Sequence, residues 1–240
     1  GYEIRENFNN ANVPGSDYLI NWTAKIVLPF LFLLFLYGKK GVEYFPFIVT
    51  VVMSLLIFSM TGHKSYLFGY GAAIGLSWLI QRRNFLFNLN FIFISVISVG
   101  LLTKALFGDL LFGSILIRRV FFIPAQISFY YYEVFQSNPV YLGHSILSGF
   151  VPYEYDFEPS RLIGSLFFSG PQTSANNGLV TDGFLNFGSV GVILWSLGFS
   201  VLLRVVDTIA LVKDRRIIWP ILLLSFYSLG NGAFFTSLLT

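Results

Sequence analysis

A chain of 240 residues that is 55% hydrophobic, 19% aromatic and only 11% charged is too apolar for an ordinary water-soluble domain, so lipid has to be part of its solvent. The net charge of +3 is small and comes from a few short basic clusters, which argues against a nucleic-acid-binding surface. With no cysteine present, disulfides and thiolate metal sites are excluded.

The chain starts at Gly1 rather than Met, no secretory leader follows, and it stops inside the apolar run Leu238-Leu239-Thr240. We therefore read residues 1–240 as one all-α, polytopic transmembrane domain from a longer membrane protein. Apolar runs near the ~20 residues that cross a bilayer as helix predict about six spans, at residues 19–37, 45–60, 66–80, 85–103, 184–203 and 217–239. The second and third are short, so the turn Thr61-Gly62-His63-Lys64-Ser65 between them is expected close to membrane depth. Gly62 permits the turn, and Ser65 and the first amides of the next helix offer donors beside Lys64 to a phosphate. Alternatively, Lys64 anchors the helix end at the headgroups. In the third span Gly71-Ala72-Ala73-Ile74-Gly75 is a GxxxG pattern that predicts a close helix-packing face.

Lys39 and Lys40, then Arg82 and Arg83, then Arg204, Lys213, Arg215 and Arg216 fall in alternate connections, which the positive-inside rule places in the cytoplasm. Residues 1–17, the turn at 62–65 and the long segment 104–183 then face outward. That segment is far longer than a connector requires and is expected to carry the functional site.

Within it, residues 110–135 are apolar and aromatic, as for a re-entrant or interfacial helix. Arg118 and Arg119 stand in this run, where an unpaired charge is costly and a guanidinium fork binds phosphate oxygens bidentately; the alternative is that both snorkel to headgroups. Arg119, Gln126 and Glu133 recur at seven-residue spacing and would form one polar stripe on a continuous helix. Pro124 offers a different geometry, with the arginines in a turn before a helix that begins near it. By residue type Glu133 and His144 are the candidate general bases. The run Glu154-Tyr155-Asp156-Phe157-Glu158-Pro159-Ser160-Arg161 suits a divalent cation, although no full calcium-loop pattern is present, or a sugar surface, with Tyr155 stacking on a pyranose face, or a solvated loop; Arg161 is either a further phosphate ligand or the partner of Glu158. Asp182 stands about where the N-cap of the fifth span is expected, and either caps that helix or accepts from an acceptor hydroxyl. Two well-separated histidines and no paired-Asp motif lead us to expect no metal and no cofactor.

Taken in order, Thr61-Gly62-His63-Lys64-Ser65, Arg118-Arg119 with Pro124-Ala125, the Tyr130-Tyr131-Tyr132 cluster, Asn138-Pro139 and Asp182-Gly183-Phe184-Leu185-Asn186-Phe187-Gly188-Ser189-Val190-Gly191 resemble the C-terminal part of the Wzy-type O-antigen and capsular repeat-unit polymerases. The resemblance implies a GT-C-like, inverting glycosyltransferase of the bacterial inner membrane whose periplasmic loop is residues 104–183. Its substrate would be an undecaprenyl pyrophosphate-linked oligosaccharide, its surroundings membrane lipid, and a chain-length regulator protein a further expected partner. Arg118 and Arg119 would neutralise the departing pyrophosphate, Glu133 or His144 would take the acceptor proton, and Lys64, Arg161, Asp182 and Tyr155 would bind substrate. Alternatives are an O-antigen ligase, with the same chemistry and another acceptor, and a lipid-linked oligosaccharide flippase or transporter. A flippase would distribute charges through the spans, whereas here only Lys25 lies plainly within one.

Overall fold

The computed structural model describes residues 15–37, 44–108, 113–168, 173–176 and 178–239. Among them every regular element is helical, and the only β-type pairing is an isolated bridge between Ser148 and Val151. In chain order the elements are α1 (Ser16–Trp22), the π-helical segment π1 (Thr23–Val27), α2 (Leu28–Tyr37), α3 (Phe45–Thr61), α4 (Ser65–Ile80), α5 (Phe85–Phe107), π2 (Ser114–Phe122), α6 (Ile123–Phe135), α7 (Pro159–Phe167), α8 (Leu179–Val212), α9 (Arg215–Asn231) and α10 (Phe234–Leu239). Lys39, Lys40, Asp109 and most of residues 1–17 lie outside the described residues.

Among the described residues three helices are long and apolar enough to cross a membrane: Tyr18–Tyr37, Phe85–Phe107 and Leu179–Val212. On α5 almost no side chain is buried, and Leu86, Phe87 and Phe91 all point outward. Water does not tolerate an apolar surface of that extent, and lipid does.

Both π segments stand just before a proline. Pro29 follows π1 and Pro124 follows π2, and the Leu28 and Ile123 amides donate five residues back, to the carbonyls of Thr23 and Arg118. Proline has no amide hydrogen, and its ring crowds the carbonyl four residues before it. Widening the preceding turn relieves the crowding while keeping the chain helical. For the arginine pair this decides between the two expected geometries. Arg118 and Arg119 occupy the wide segment, so the register that would have set Arg119 above Gln126 and Glu133 is broken, while Gln126 donates instead to the Tyr130 hydroxyl at 2.6 Å.

The contacts divide the chain into two compact units, one of Gly1–Phe85, Leu202–Ser228 and Leu238–Thr240, the other of Leu86–Val201 and Leu229–Ser237. In the first unit α3 and α4 form a hairpin whose turn is closed at Gly62, in the left-handed conformation. Polar links run along it and to its neighbour: Tyr66 donates to Asn21 at 2.8 Å, Ser77 to the Tyr37 hydroxyl at 2.8 Å, and Ser54 and Tyr70 share a hydrogen bond of 2.6 Å. In a bilayer each such link contributes about 0.6 kcal/mol, and together they fix register. The expected GxxxG face is not the packed one. A Cβ at Gly71 or Gly75 would meet nothing within 4 Å, whereas one at Gly69 would lie 2.7 Å from the Leu224 side chain. The buried small-residue stripe is Gly69, Ala73 and Ser77, the same four-residue period on another face.

The second unit has a core of Tyr131, Phe135, Val140, Ile163, Ala175 and Leu185, drawn from α6, the loop after it, α7 and the start of α8. Tyr131 seals it by donating its hydroxyl to the Ala175 carbonyl at 2.9 Å. Here two expected spans are corrected. The fifth is broken at Phe187 and Gly188, whose backbone leaves the helical region (Gly188 φ 59°, ψ −145°); only glycine adopts that conformation readily. The sixth is interrupted after Asn231, and α10 starts afresh at Phe234.

Candidate functional site

The break in α8 builds the site. A helix interrupted at Phe187 and Gly188 leaves carbonyls without intrahelical donors. The loop after α6 supplies them: the Val140 amide donates to the Leu185 carbonyl at 2.9 Å and the Tyr141 amide to the Asn186 carbonyl at 3.2 Å. The Leu142 amide donates to the Asn186 side-chain oxygen at 2.8 Å. In return Tyr141 and Leu142 are held at φ 46° and 64°, a left-handed conformation that costs a branched or bulky residue about 1 kcal/mol or more. Two such residues in succession, immediately before Gly143-His144, are sustained only because Asn186 and Leu185 over-determine them.

Asn186 is itself fixed, fully buried, with its amide donating to the Asp182 carbonyl at 2.9 Å. Asp182 is the second anchor. Helix α8 starts at Leu179, so Asp182 is not the cap the sequence led us to expect but sits a full turn inside. Its carboxylate is 2% exposed and accepts from the Trp195 indole N–H at 2.7 Å and the Phe234 amide at 2.9 Å. The interruption of the sixth span is what frees the Phe234 amide to be bound. Gly183 and Gly191 make the fold-back sterically feasible, since a Cβ on either would lie within 2.6 Å of the other's carbonyl oxygen.

These supports converge on a cavity of about 380 Å³ lined by His144, Glu158, Ser160, Asn176, Asp182 and Thr236, among others. His144 is half-buried, its ring 6.0 Å from that of Tyr153. Its Nδ1 is buried and has no hydrogen-bond partner among the described residues. Burial pushes the imidazole below its ordinary range, and the Asp182 and Glu158 carboxylates only partly oppose this, so the neutral ring is favoured. A neutral imidazole lining a polar cavity can take a proton from a hydroxyl.

A neighbouring cavity of about 310 Å³ lies between the loop after α6 and the segment before α7, lined by Asn138, Tyr141, Tyr153, Glu154 and Tyr155. Tyr155 is half-buried and stands edge-on to Phe135 at 5.4 Å and 5.5 Å from the Tyr153 ring. Burial, with Tyr155 and Glu158 nearby, keeps the Tyr153 hydroxyl protonated well above its usual range, and it donates to the Phe157 carbonyl.

Of the eight residues singled out from sequence, His144 and Asp182 meet in the larger cavity, and Tyr155 lines the smaller one. Arg118, Arg119, Glu133 and Arg161 are exposed, on π2, α6 and α7, and line neither. Arg161 is not the partner of Glu158: among the described residues the single ion pair is Arg216 with Asp214. Lys64 belongs to the first unit. At its turn the Tyr66 amide already donates to His63 and the Leu67 and Phe68 amides to Lys64, so the helix start offers an anion fewer donors than the sequence suggested. Tyr153 was not singled out, and Glu158 was named only within the run 154–161 and as a partner for Arg161; the alternation of rings and carboxylates there was the available signal. Among the described residues no three His, Asp or Glu side chains are grouped to hold a metal ion.

The chain matches no protein-family model, no curated protein and no solved structure in the comparisons made.

Proposed function

We propose that this protein is an inverting, lipid-linked glycosyltransferase that polymerises oligosaccharide repeat units for O-antigen or capsular polysaccharide, with about six spans, a GT-C-like architecture and its site on the periplasmic side of the bacterial inner membrane. The observation that carries the reading is His144, its imidazole held below its ordinary pKa by burial, lining one polar cavity with Glu158 and Asp182. His144 takes the proton of the acceptor hydroxyl as its oxygen bonds to the anomeric carbon of the donor glycan. The bond from that carbon to the pyrophosphate oxygen breaks, and the undecaprenyl pyrophosphate leaves with the electron pair. Its charge is met by Arg118 and Arg119 on the exposed π2 segment, with Arg161 as a further cation. Losing one such charge donor typically costs on the order of a hundredfold in rate. Tyr153 and Tyr155 offer ring faces to the sugars, and Asp182 orients the histidine's cavity rather than binding the acceptor directly. Glu133, exposed on α6, is the alternative base.

Deleting the gene and resolving the surface polysaccharide by gel tests the class. A ladder that collapses to core plus one repeat supports polymerisation. Loss of every repeat from the core points to ligation or flipping and overturns the reading.

A further inference from the structure

The first contact unit contains a larger cavity, of about 590 Å³, that the glycosyl-transfer reading does not use. It is formed by the end of α4 and the turn after it, the last turns of α8 and the start of α9, and its lining includes Arg82, Arg83, Asp207, Leu211, Arg215 and Trp219. Three guanidiniums face one carboxylate, a surplus of two positive charges. On the α9 side Asp214 is paired chiefly with Arg216, which donates to both carboxylate oxygens, and its charge acts on Arg215 only secondarily. The Arg82 guanidinium carbon stands over the Trp78 ring, 4.3 Å from its centroid, a cation–π contact that does not use the N–H donors of the fork. Apart from Gln81 the rest of the wall is apolar, with Leu76, Ile80 and Phe85 beside Leu211. Oriented guanidiniums at the end of apolar helices, over an apolar wall, match a molecule with a phosphodiester at one end and hydrocarbon at the other.

We propose that this cavity binds the headgroup of an anionic glycerophospholipid. Arg82, Arg83 and Arg215 hold the phosphodiester, Asp207 accepts from a glycerol hydroxyl of the headgroup, and the acyl chains lie along the apolar wall. The proposal is independent of the reaction at His144.

Purified, delipidated full-length protein in neutral detergent is offered phosphatidylglycerol and phosphatidylcholine in equal amounts, and retained lipid is counted by native mass spectrometry. The expected result is selective retention of phosphatidylglycerol, weakened about fivefold in each of Arg83→Gln and Arg215→Gln, abolished in the double variant, and unchanged in Arg204→Gln, which lies outside the lining. Both arginines are exposed, and an unshifted melting temperature confirms that the variants are folded. Equal retention of the two lipids, or undiminished selectivity in the double variant, overturns the proposal. Displacement of phosphatidylglycerol by millimolar inorganic phosphate also overturns it, because the site would then take a soluble anion.

Discussion

In the proposed reaction His144 and Asp182 divide the work of the site between chemistry and support, and different measurements separate them. Replacing His144 by Gln removes the proton acceptor and leaves the anchors in place, so activity should fall by at least a hundredfold with little change in melting temperature. Replacing Asp182 by Ala orphans the Trp195 indole N–H and the Phe234 amide, both bound to its carboxylate, at about 1–3 kcal/mol per buried donor; here the melting temperature itself should fall. The folded-state pKa of His144 is depressed by burial, so in the unfolded chain the ring takes a proton first. Stability from this residue is therefore complete above the ordinary histidine range and is lost as pH falls below about 6.5. Melting curves should drop more steeply between about pH 6.5 and 5 for the native protein than for His144→Gln; parallel curves would show that His144 is not buried as a neutral ring. The residue type and the loop made His144 legible from sequence. Its partners were not, because Glu158 is brought to it by the loop and Asp182 by the break in a helix.

Element by element, apolar runs marked where helices lie far better than where they break. The helices over residues 45–61, 65–80 and 85–107 fall close to the expected runs, since helical hydrogen bonding is obligatory wherever apolar chain meets lipid. The breaks at Phe187-Gly188 and after Asn231 are invisible to hydropathy, because the freed backbone groups are satisfied by Asn186, the Val140–Leu142 amides and Asp182 rather than by water. Glycines at 183, 188 and 191 were the signal, and only the close approach of Gly183 to Gly191 and the positive φ of Gly188 show what they do. Likewise GxxxG spacing gives a period without saying which face it applies to, and Gly69-Ala73-Ser77 share it. A Cβ at Gly191 would meet the Gly183 carbonyl oxygen 1.9 Å away, so Gly191→Ala should abolish the fold-back and with it activity, while Gly71→Ala, in open space, should be within about 0.5 kcal/mol of neutral. Equal melting temperatures for these two variants would contradict the broken-helix account. At π2, Pro124→Ala restores an amide donor and should let the helix tighten to regular α geometry, rotating both arginines; a loss of activity at unchanged melting temperature is expected.

For the whole molecule, sidedness joins the site to its substrate. Under the proposed orientation residues 104–183 lie outside, and the chain has no cysteine of its own, so single introduced cysteines report sidedness cleanly. Asp156→Cys, on the exposed loop, should react with a membrane-impermeant maleimide once the outer membrane is opened, and Lys213→Cys only after the inner membrane is breached. The reverse pattern would place the His144 cavity on the cytoplasmic side, away from undecaprenyl pyrophosphate-linked glycan. The central claim, that His144 removes the acceptor proton in glycosyl transfer, is tested most directly by incubating the purified full-length protein with lipid-linked repeat units and following chain growth on a gel. Native protein should build a ladder whose rate falls as pH drops below the histidine range, and His144→Gln should release no undecaprenyl pyrophosphate and extend no chain. A His144→Gln protein that extends chains at the native rate would contradict the account.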